Sequence, residues 1–191
     1  MQVIAFLGSP RKDGNTSILL KEGTRGVEEA GHTVHLFKLA QMKIRPCLNC
    51  GGCEEAGECI IKDDEMPKIY AAIRGADRII LASPIFFSGV PAQAKAMIDR
   101  CQALWCEKYL LKREIPAGPE GRKGLFLTVG GMKMLKHAEC ANSTVTAFFR
   151  SVSVPEHAFL PFRGVDAKGA IRQHPTALQE AYEAGKALGA S

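Results

Sequence analysis

The chain has 191 residues, 46% of them hydrophobic and 24% charged, with a net charge of +5 at pH 7. This composition predicts one soluble globular domain, residues 1–191, and its apolar runs are too short for a membrane span. A strand-like N-terminus instead of a signal peptide predicts a cytoplasmic protein, and the absence of a long basic block argues against a nucleic-acid partner.

Strands and helices alternate along the predicted chain. Apolar runs predict strands at 2–8, 33–39, 78–83, 124–129 and 154–162. Apolar stripes at helical spacing predict helices at 15–30, 66–74, 90–106, 140–152 and 175–188. Residues 40–64 are predicted as a loop inserted after the second strand, and 107–122 as a surface excursion holding Pro116, Gly118, Pro119 and Gly121. This alternation predicts an α/β three-layer sandwich whose five-stranded parallel sheet has the flavodoxin-like order 2-1-3-4-5.

The loop after the first strand has the composition of an anion site. Residues 9–17 read SPRKDGNTS and lead from a buried strand into a helix. The N–H groups at a helix start have no intrahelical acceptor, and the helix dipole adds positive charge there. The loop lacks both the GxxxxGK[ST] and the GxGxxG patterns, so a phosphate monoester is the predicted ligand. Its side-chain donors are Ser9, Arg11, Asn15, Thr16 and Ser17.

Two further loops are predicted to lie beside this one. Residues 83–91 read SPIFFSGVP at the end of the third strand, and Gly130-Gly131 opens the loop after the fourth. In open parallel sheets, ligands bind beyond the carboxyl ends of the strands, where the strand order reverses. That crevice lies between strands 1 and 3 here. The loop at 9–17 and the loop at 83–91, which follow these two strands, are therefore both predicted to reach it.

Together, GSPRKDGNTS and SPIFFSGVP resemble the phosphate loop and the flavin-ring loop of flavodoxin-like NAD(P)H-dependent FMN reductases. The resemblance covers essentially the whole chain. It implies a flavin-dependent oxidoreductase with FMN as cofactor, NAD(P)H as a candidate electron donor, and a homodimer or homotetramer. The flavin would carry the chemistry, so no catalytic side chain is predicted. The implied cofactor-binding residues are Ser9, Arg11, Asn15, Thr16, Ser17, Pro84, Ile85, Phe86, Phe87, Ser88, Gly89, Gly130 and Gly131.

The ring loop departs from the family at one position. Relatives often carry Tyr where this chain has Phe86, so a hydroxyl hydrogen bond is missing. Phe86 and Phe87 are predicted to stack on the flavin, with core packing as the alternative. Gly89 and Gly130-Gly131 are predicted to let the main chain approach a flat ring. Ser88 and His137 are candidates only for polar contacts.

Four of the seven cysteines, Cys47, Cys50, Cys53 and Cys59, lie in the predicted loop with the spacing CxxCxxCxxxxxC. In a cytoplasmic protein such a run favours metal or redox chemistry over a disulfide framework. The compact CxxCxxC run favours an iron–sulfur cluster, because zinc sites more often use two separate CxxC pairs. Zinc and free thiols remain the alternatives. The other three cysteines, Cys101, Cys106 and Cys140, are predicted to be core residues.

The cysteine run and the residues after it, CIIKDD at 59–64, resemble the iron–sulfur flavoproteins, a branch of the same reductase family. This resemblance implies electron transfer between FMN and a 4Fe-4S cluster held by the four cysteines, with ferredoxin or another small redox protein as a candidate partner. Two alternatives stay open. One is an NAD(P)H-dependent FMN or quinone reductase without a cluster, and the other is a non-catalytic zinc- or flavin-binding sensor.

Overall fold

A parallel sheet in strand order β2-β1-β3-β4-β5 organises the computed structural model, which describes residues 1–113 and 121–190. This order confirms the predicted flavodoxin-like topology. The first and third strands pair in parallel with Ile4 opposite Ile79, which places the strand-order reversal between them. The strands are β1 Gln2–Leu7, β2 Thr33–Lys38, β3 Arg78–Pro84, β4 Lys123–Gly130 and β5 Glu156–Arg163.

Helices connect the strands and cover both faces of the sheet. The α-helices are α1 Asn15–Glu29, α2 Cys53–Ala56, α3 Met66–Gly75, α4 Ala92–Arg100, α5 Gln102–Trp105, α6 Leu135–Ser151 and α7 Ala177–Ala190. Short 3-10 turns lie at Leu39–Gln41 and Ala170–Gln173, and a π-helical turn spans Cys106–Leu110. None of the helices in the described part of the chain is long and apolar enough to cross a membrane.

The core is divided into two layers by the sheet. On one face, Ile69 of α3, Met97 of α4 and Phe148 of α6 pack in a cluster of fully buried side chains. On the other face, Leu19 of α1 and Ala181 of α7 belong to a second cluster. Successive strand residues point to opposite faces of the sheet. The unbroken apolar runs of the strands therefore supply buried side chains to both layers of the core. The result is the predicted three-layer sandwich.

The two helices of the second face approach each other closely. A Cβ atom on Gly185 of α7 would overlap the carbonyl oxygen of Gly23 in α1, and one on Gly26 would overlap the carbonyl oxygen of Tyr182. Glycine is therefore required at this crossing because a side chain would prevent the backbones from touching, and not because of its conformational freedom. The contact fixes the position of α1, whose first turn belongs to the predicted phosphate site.

Several predicted boundaries differ from the structure. The helix predicted at 90–106 begins after Pro91 and breaks at Cys101, whose ψ is 0°, before α5 and the π-helical turn continue it. The helix predicted at 140–152 begins earlier, because Leu135–Glu139 also has good helix formers. The loop predicted at 40–64 includes the short α2. The excursion predicted at 107–122 contributes a π-helical turn, and its Pro116, Gly118 and Pro119 lie outside the described residues.

Candidate functional site

A cleft lies at the carboxyl ends of β1, β3 and β4, where the predicted loops meet. The structure brings most of the predicted cofactor residues to its walls, although Ser17, Phe87, Ser88 and Gly89 are not among the described lining residues. The lining residues are Ser9, Arg11, Gly14, Asn15, Thr16, Pro84, Ile85, Phe86, Val129, Gly130, Gly131, Val165 and Asp166. Whether these residues contact FMN stays a prediction.

The start of α1 forms one end of this cleft. The first hydrogen bond of the helix runs from Ile18 N to the carbonyl oxygen of Gly14 at 3.1 Å. The N–H groups of residues 15–17 precede that bond and lie at the positive end of the helix dipole. Asn15 and Thr16 are buried, so this end of the cleft is shielded from solvent and suited to an anionic group.

The polar side chains of the loop also hold the loop itself. Asn15 Nδ2 donates to the carbonyl oxygen of Ala167 at 2.9 Å, and Asn15 Oδ1 accepts from Ile171 N at 3.3 Å. Ser17 Oγ donates to the carbonyl oxygen of Gly14 at 2.9 Å. Asn15 therefore ties α1 to the segment after β5, and the backbone N–H groups of residues 15–17 remain as donors for an anion.

Arg11 spans the mouth of the cleft. Its side chain is exposed, and Nη1 donates to the carbonyl oxygen of Asp166 at 3.2 Å. Its own backbone N–H donates to Ser9 Oγ at 3.2 Å. Because a carbonyl uses only one of its five N–H donors, the guanidinium keeps both charge and donors for a phosphate.

The loop after β3 forms a two-residue hairpin. The N–H groups of Phe86 and Gly89 each donate to the other residue's carbonyl oxygen at 2.9 Å. Both central residues are left-handed, with φ of 48° at Phe87 and 63° at Ser88. A type I′ turn of this kind normally carries Asn or Gly at these positions. The strain therefore lies on Phe87 and Ser88, and not on Gly89, where the sequence suggests backbone freedom.

The two aromatic residues of this hairpin are exposed. Phe86 is 49% exposed and lines the cleft, and Phe87 is 106% exposed at the tip of the turn. Core packing, the alternative interpretation of both rings, is therefore wrong. Exposed aromatic faces at the edge of a cleft are suited to stacking on a planar ligand.

Two glycines, Gly130 at the end of β4 and Gly131 directly after it, permit close contact between loops. A Cβ on Gly130 would lie 3.2 Å from the Cβ of Ile85, and one on Gly131 would lie 3.1 Å from the Cβ of Asp166. These glycines therefore let neighbouring loops pack together around the cleft.

The sequence did not single out Gly14, Val129, Val165 and Asp166 as site residues. Val165 and Asp166 follow β5, whose carboxyl end meets the same edge of the sheet as the ends of β1, β3 and β4. That rule was the available signal for finding them.

The four predicted metal-binding cysteines share one second cavity. Cys47, Cys50, Cys53 and Cys59 line it together with Gln102, Ala103 and Arg100. Gly52 lies between them, and a Cβ there would meet Ile60 Cγ2 at 2.6 Å. The four cysteines therefore line one cavity, and their role as metal ligands stays a prediction.

The thiols are not drawn together in this conformation. Within the described residues, no group of three or more His, Cys, Asp or Glu side chains is arranged to hold a metal ion. Cys53 Sγ lies 3.6 Å from Sγ of the buried Cys106. Burial, followed by this neighbouring thiol, raises the pKa of Cys53 to about 12, so the free thiol is protonated at neutral pH.

The remaining cysteines divide between core and surface. Cys101 and Cys106 are buried as predicted, and burial raises the pKa of the Cys101 thiol. Cys140 is exposed on α6, so its assignment to the core is wrong. The outward face of α6 near its start explains the difference, because Glu139 beside it is exposed as well.

Hydrogen bonds and an ion pair join two stretches of the chain between β2 and α3, residues 43–45 and 61–65. We call these paired stretches the neck of the cysteine segment. The N–H of Lys43 donates to Glu65 Oε2 at 2.8 Å, and the N–H of Glu65 donates to the carbonyl oxygen of Lys43 at 3.0 Å. The guanidinium of Arg45 contacts the carboxylate of Asp63 at 2.7 Å. These contacts join the two ends of the cysteine segment.

Comparison with known proteins agrees with this architecture. Residues 1–163 match the family described as NADPH-dependent FMN reductase. An iron-sulfur flavoprotein of Methanocaldococcus jannaschii is 41% identical over 104 residues, 54% of this chain and 53% of that protein. One of Archaeoglobus fulgidus is 36% identical over 129 residues, 68% of this chain and 62% of that protein. The chain thus spans less than two thirds of the length of these relatives.

Solved structures are similar in fold. An NAD(P)H:quinone oxidoreductase from Methanothermobacter marburgensis superposes with a TM-score of 0.75 at 23% identity, covering 98% of both chains. An FMN-dependent NADH-azoreductase from Bacillus anthracis, solved in complex with FMN, gives a TM-score of 0.69 at 13% identity over 99% of this chain and 100% of that chain. At these identities the likeness supports the fold alone.

Proposed function

Because this chain belongs to the NADPH-dependent FMN reductase family, we propose that it is an FMN-dependent oxidoreductase that passes electrons between FMN and a 4Fe-4S cluster. Family membership agrees with the resemblance of the two loop motifs, and the enzyme class predicted from them is the class of this family. The observation that carries the cluster proposal is that all four cysteines line one cavity. Relatives named iron-sulfur flavoproteins support it.

The residues of the cleft fit a phosphate joined to a flat ring. The start of α1 offers backbone donors, and Arg11 offers a positive charge, for the phosphate. The exposed rings of Phe86 and Phe87 offer aromatic faces to the flavin. Gly130 keeps the loop after β4 close to Ile85 on the opposite wall.

The cysteine cavity fits a sulfur-bound cluster by its donor set. Cys47, Cys50, Cys53 and Cys59 would hold the cluster, and soft thiolate ligands are those that iron–sulfur centres use. Binding requires Cys53 to lose its proton and leave Cys106. When bound, FMN supplies hydride and single-electron chemistry, and the cluster supplies single-electron exchange.

The proposed partners follow from the same family. NAD(P)H, or a reduced ferredoxin or similar small redox protein, would donate electrons. We propose a homodimer or homotetramer as the assembly. The exposed Phe87 and the exposed Met132 and Met134 at the next loop support an apolar surface for such contacts.

Anaerobic purification tests the cofactor content directly. We expect flavin absorption above a broad iron–sulfur background, with about four irons and four sulfides per chain. Cys50→Ser should lose the iron, whereas Cys140→Ser, which changes another exposed cysteine, should keep it. Flavin without iron, even after reconstitution, would overturn the cluster proposal, and absence of flavin would overturn FMN binding.

The second candidate is an NAD(P)H-dependent FMN or quinone reductase without a cluster. The contact between Cys53 and Cys106, in a cavity where the described side chains do not converge on a metal position, favours free thiols. Rapid oxidation of NADPH by FMN-loaded protein, unchanged by Cys50→Ser, would support this candidate.

A further inference from the structure

One guanidinium closes the loop that carries all four cysteines. Arg100, the last residue of α4, donates from Nη1 to the carbonyl oxygen of Arg45 at 3.0 Å and from Nη2 to that of Ile61 at 2.8 Å. Arg45 lies two residues before Cys47, and Ile61 lies two residues after Cys59. The two hydrogen bonds therefore bracket the whole cysteine run.

Asp64 completes this closure. Its Oδ2 accepts from Arg100 Nη1 at 2.6 Å and from Arg45 N at 3.0 Å, and its Oδ1 accepts from Met66 N at 3.0 Å. The side chains of Arg100 and Asp64 are 0% and 2% exposed. Burial raises the pKa of Asp64, but the guanidinium and the two N–H donors outweigh it and hold the pKa below its usual range. The pair is therefore ionised at neutral pH.

The cationic member of this pair faces the cysteines. Arg100 lines the cysteine cavity, whereas Asp64 is not among the described residues that line it. Arg100 Nε is buried and has no hydrogen-bond partner in the described parts of the chain. A buried donor without an acceptor is unfavourable. The sulfur atoms of a cluster held by the four cysteines would carry negative charge and could accept a hydrogen bond from this donor.

We propose that Arg100 is a positioning residue of the cysteine site, which sets the separation of the loop ends and presents a buried positive charge to the sulfurs of the bound cluster. The inference rests on the cluster proposed above. A nearby positive charge favours the more negative, reduced state, and contacts behind the ligands hold their geometry. Arg100 should therefore raise the reduction potential and slow the loss of iron.

Two substitutions separate the charge from the hydrogen bonds. Arg100→Met removes both and keeps an unbranched stem, whereas Arg100→Lys keeps the charge and loses the planar fork. Arg78→Met is the matched control, because Arg78 is also buried but binds the carbonyl oxygens of Asp77 and Gly121 near the opposite end of the sheet. The measurements are iron release to a chelator, the midpoint potential of the anaerobic protein, and hydrogen exchange in residues 43–65.

Arg100→Met should release iron about 10-fold faster and shift the potential to more negative values. Arg100→Lys should release iron faster while the potential stays close to that of the wild type, and it replaces Arg100→Met if the latter does not fold. Arg78→Met should change neither quantity. Wild-type iron release and potential in the Arg100 variants would overturn the inference while leaving the proposed function intact.

Iron-free protein keeps the two proposals distinguishable. A wild-type chain that holds no iron after reconstitution overturns the proposed function and the electrostatic role of Arg100. Hydrogen exchange of the iron-free chain then tests whether Arg100 still holds the ends of the cysteine loop together. Faster exchange of residues 43–65 in Arg100→Met would support that role, and unchanged exchange would overturn it.

Discussion

Ser88 Oγ and His137 Nδ1 lie 2.6 Å apart, and this contact joins the hairpin after β3 to the first turn of α6. Ser88 has a φ of 63°, so the contact holds a backbone conformation that non-glycine residues rarely adopt. The second ring nitrogen of His137 is buried and unpartnered within residues 1–113 and 121–190. A strained turn at the proposed flavin site is thus supported from a neighbouring helix.

Removal of this support should weaken FMN binding. We expect His137→Ala to lower the affinity about 2- to 10-fold, which corresponds to one net hydrogen bond of about 0.5–1.5 kcal/mol. Titration of the flavin fluorescence measures the effect. Lys136→Ala, an exposed neighbour in the same turn, should bind FMN as the wild type does. Equal affinities for the two variants would show that the hairpin keeps its conformation without His137.

A substitution at the tip of the hairpin should raise the stability of the protein and lower its affinity for FMN. Phe87 is exposed and left-handed, so Phe87→Asn relieves up to about 1 kcal/mol of strain without removing a buried contact. We expect the FMN-free variant to be more stable in denaturant and to bind FMN more weakly. Phe86→Asn should give no such stabilisation, because the φ of Phe86 is not positive. A destabilised Phe87→Asn protein would contradict this account.

Arg11 should contribute to retention of the phosphate. Arg11→Ala removes a guanidinium from the cleft, and we expect FMN affinity to fall about 10-fold, as for a charge-assisted hydrogen bond. Affinity measured at several salt concentrations should depend less on salt in the variant. Lys12→Ala is the control, because Lys12 is an exposed neighbour outside the described cleft lining. Unchanged affinity in Arg11→Ala would contradict the phosphate assignment.

The stability of the chain should fall in acid because of Asp64. Its pKa is lower in the folded chain than the usual 3.8, so the carboxylate stabilises the fold above that value. This contribution is lost as the pH falls through the folded pKa. Asp64→Asn should cost about 3–5 kcal/mol at pH 7, because Arg100 is left buried without a counter-charge.

Denaturant unfolding across the acid range measures this dependence. The gap between wild type and Asp64→Asn should narrow below about pH 4. Asp63→Asn is the control, since its carboxylate is 72% exposed in an ion pair with Arg45. That substitution should cost less than about 1 kcal/mol at every pH. A constant gap between wild type and Asp64→Asn would rule out the assigned titration.

The strand order and the convergence of the loops were predictable from sequence because they follow from local patterns. Alternating strands and helices restrict the topology, and the carboxyl-edge rule then brings loops 9–17 and 84–91 together. The break at Cys101 was not predictable, because the apolar stripe of the helix continues through it. The side chain of Arg100 is drawn to the neck one residue before that break.

Roles that depend on distant segments were also hidden in the sequence. Asn15 resembles a free donor at a helix start, but its amide binds Ala167, 152 residues later. Arg100 resembles an ordinary charged residue on a helix, yet it is fully buried. Periodicity describes which face of an element is apolar, and it does not identify the carbonyl oxygens that a long side chain reaches.

The neck formed by residues 43–45 and 61–65 has a consequence for how the chain tolerates change in length. Because hydrogen bonds outside the cysteine run join its two ends, the number of residues between them is not fixed by the spacing of β2 and α3. Lengthening a surface loop costs little closure entropy. We therefore expect the spacing of the cysteines to tolerate change, and the cysteines themselves to be replaceable, without disturbance of the sheet or the cleft.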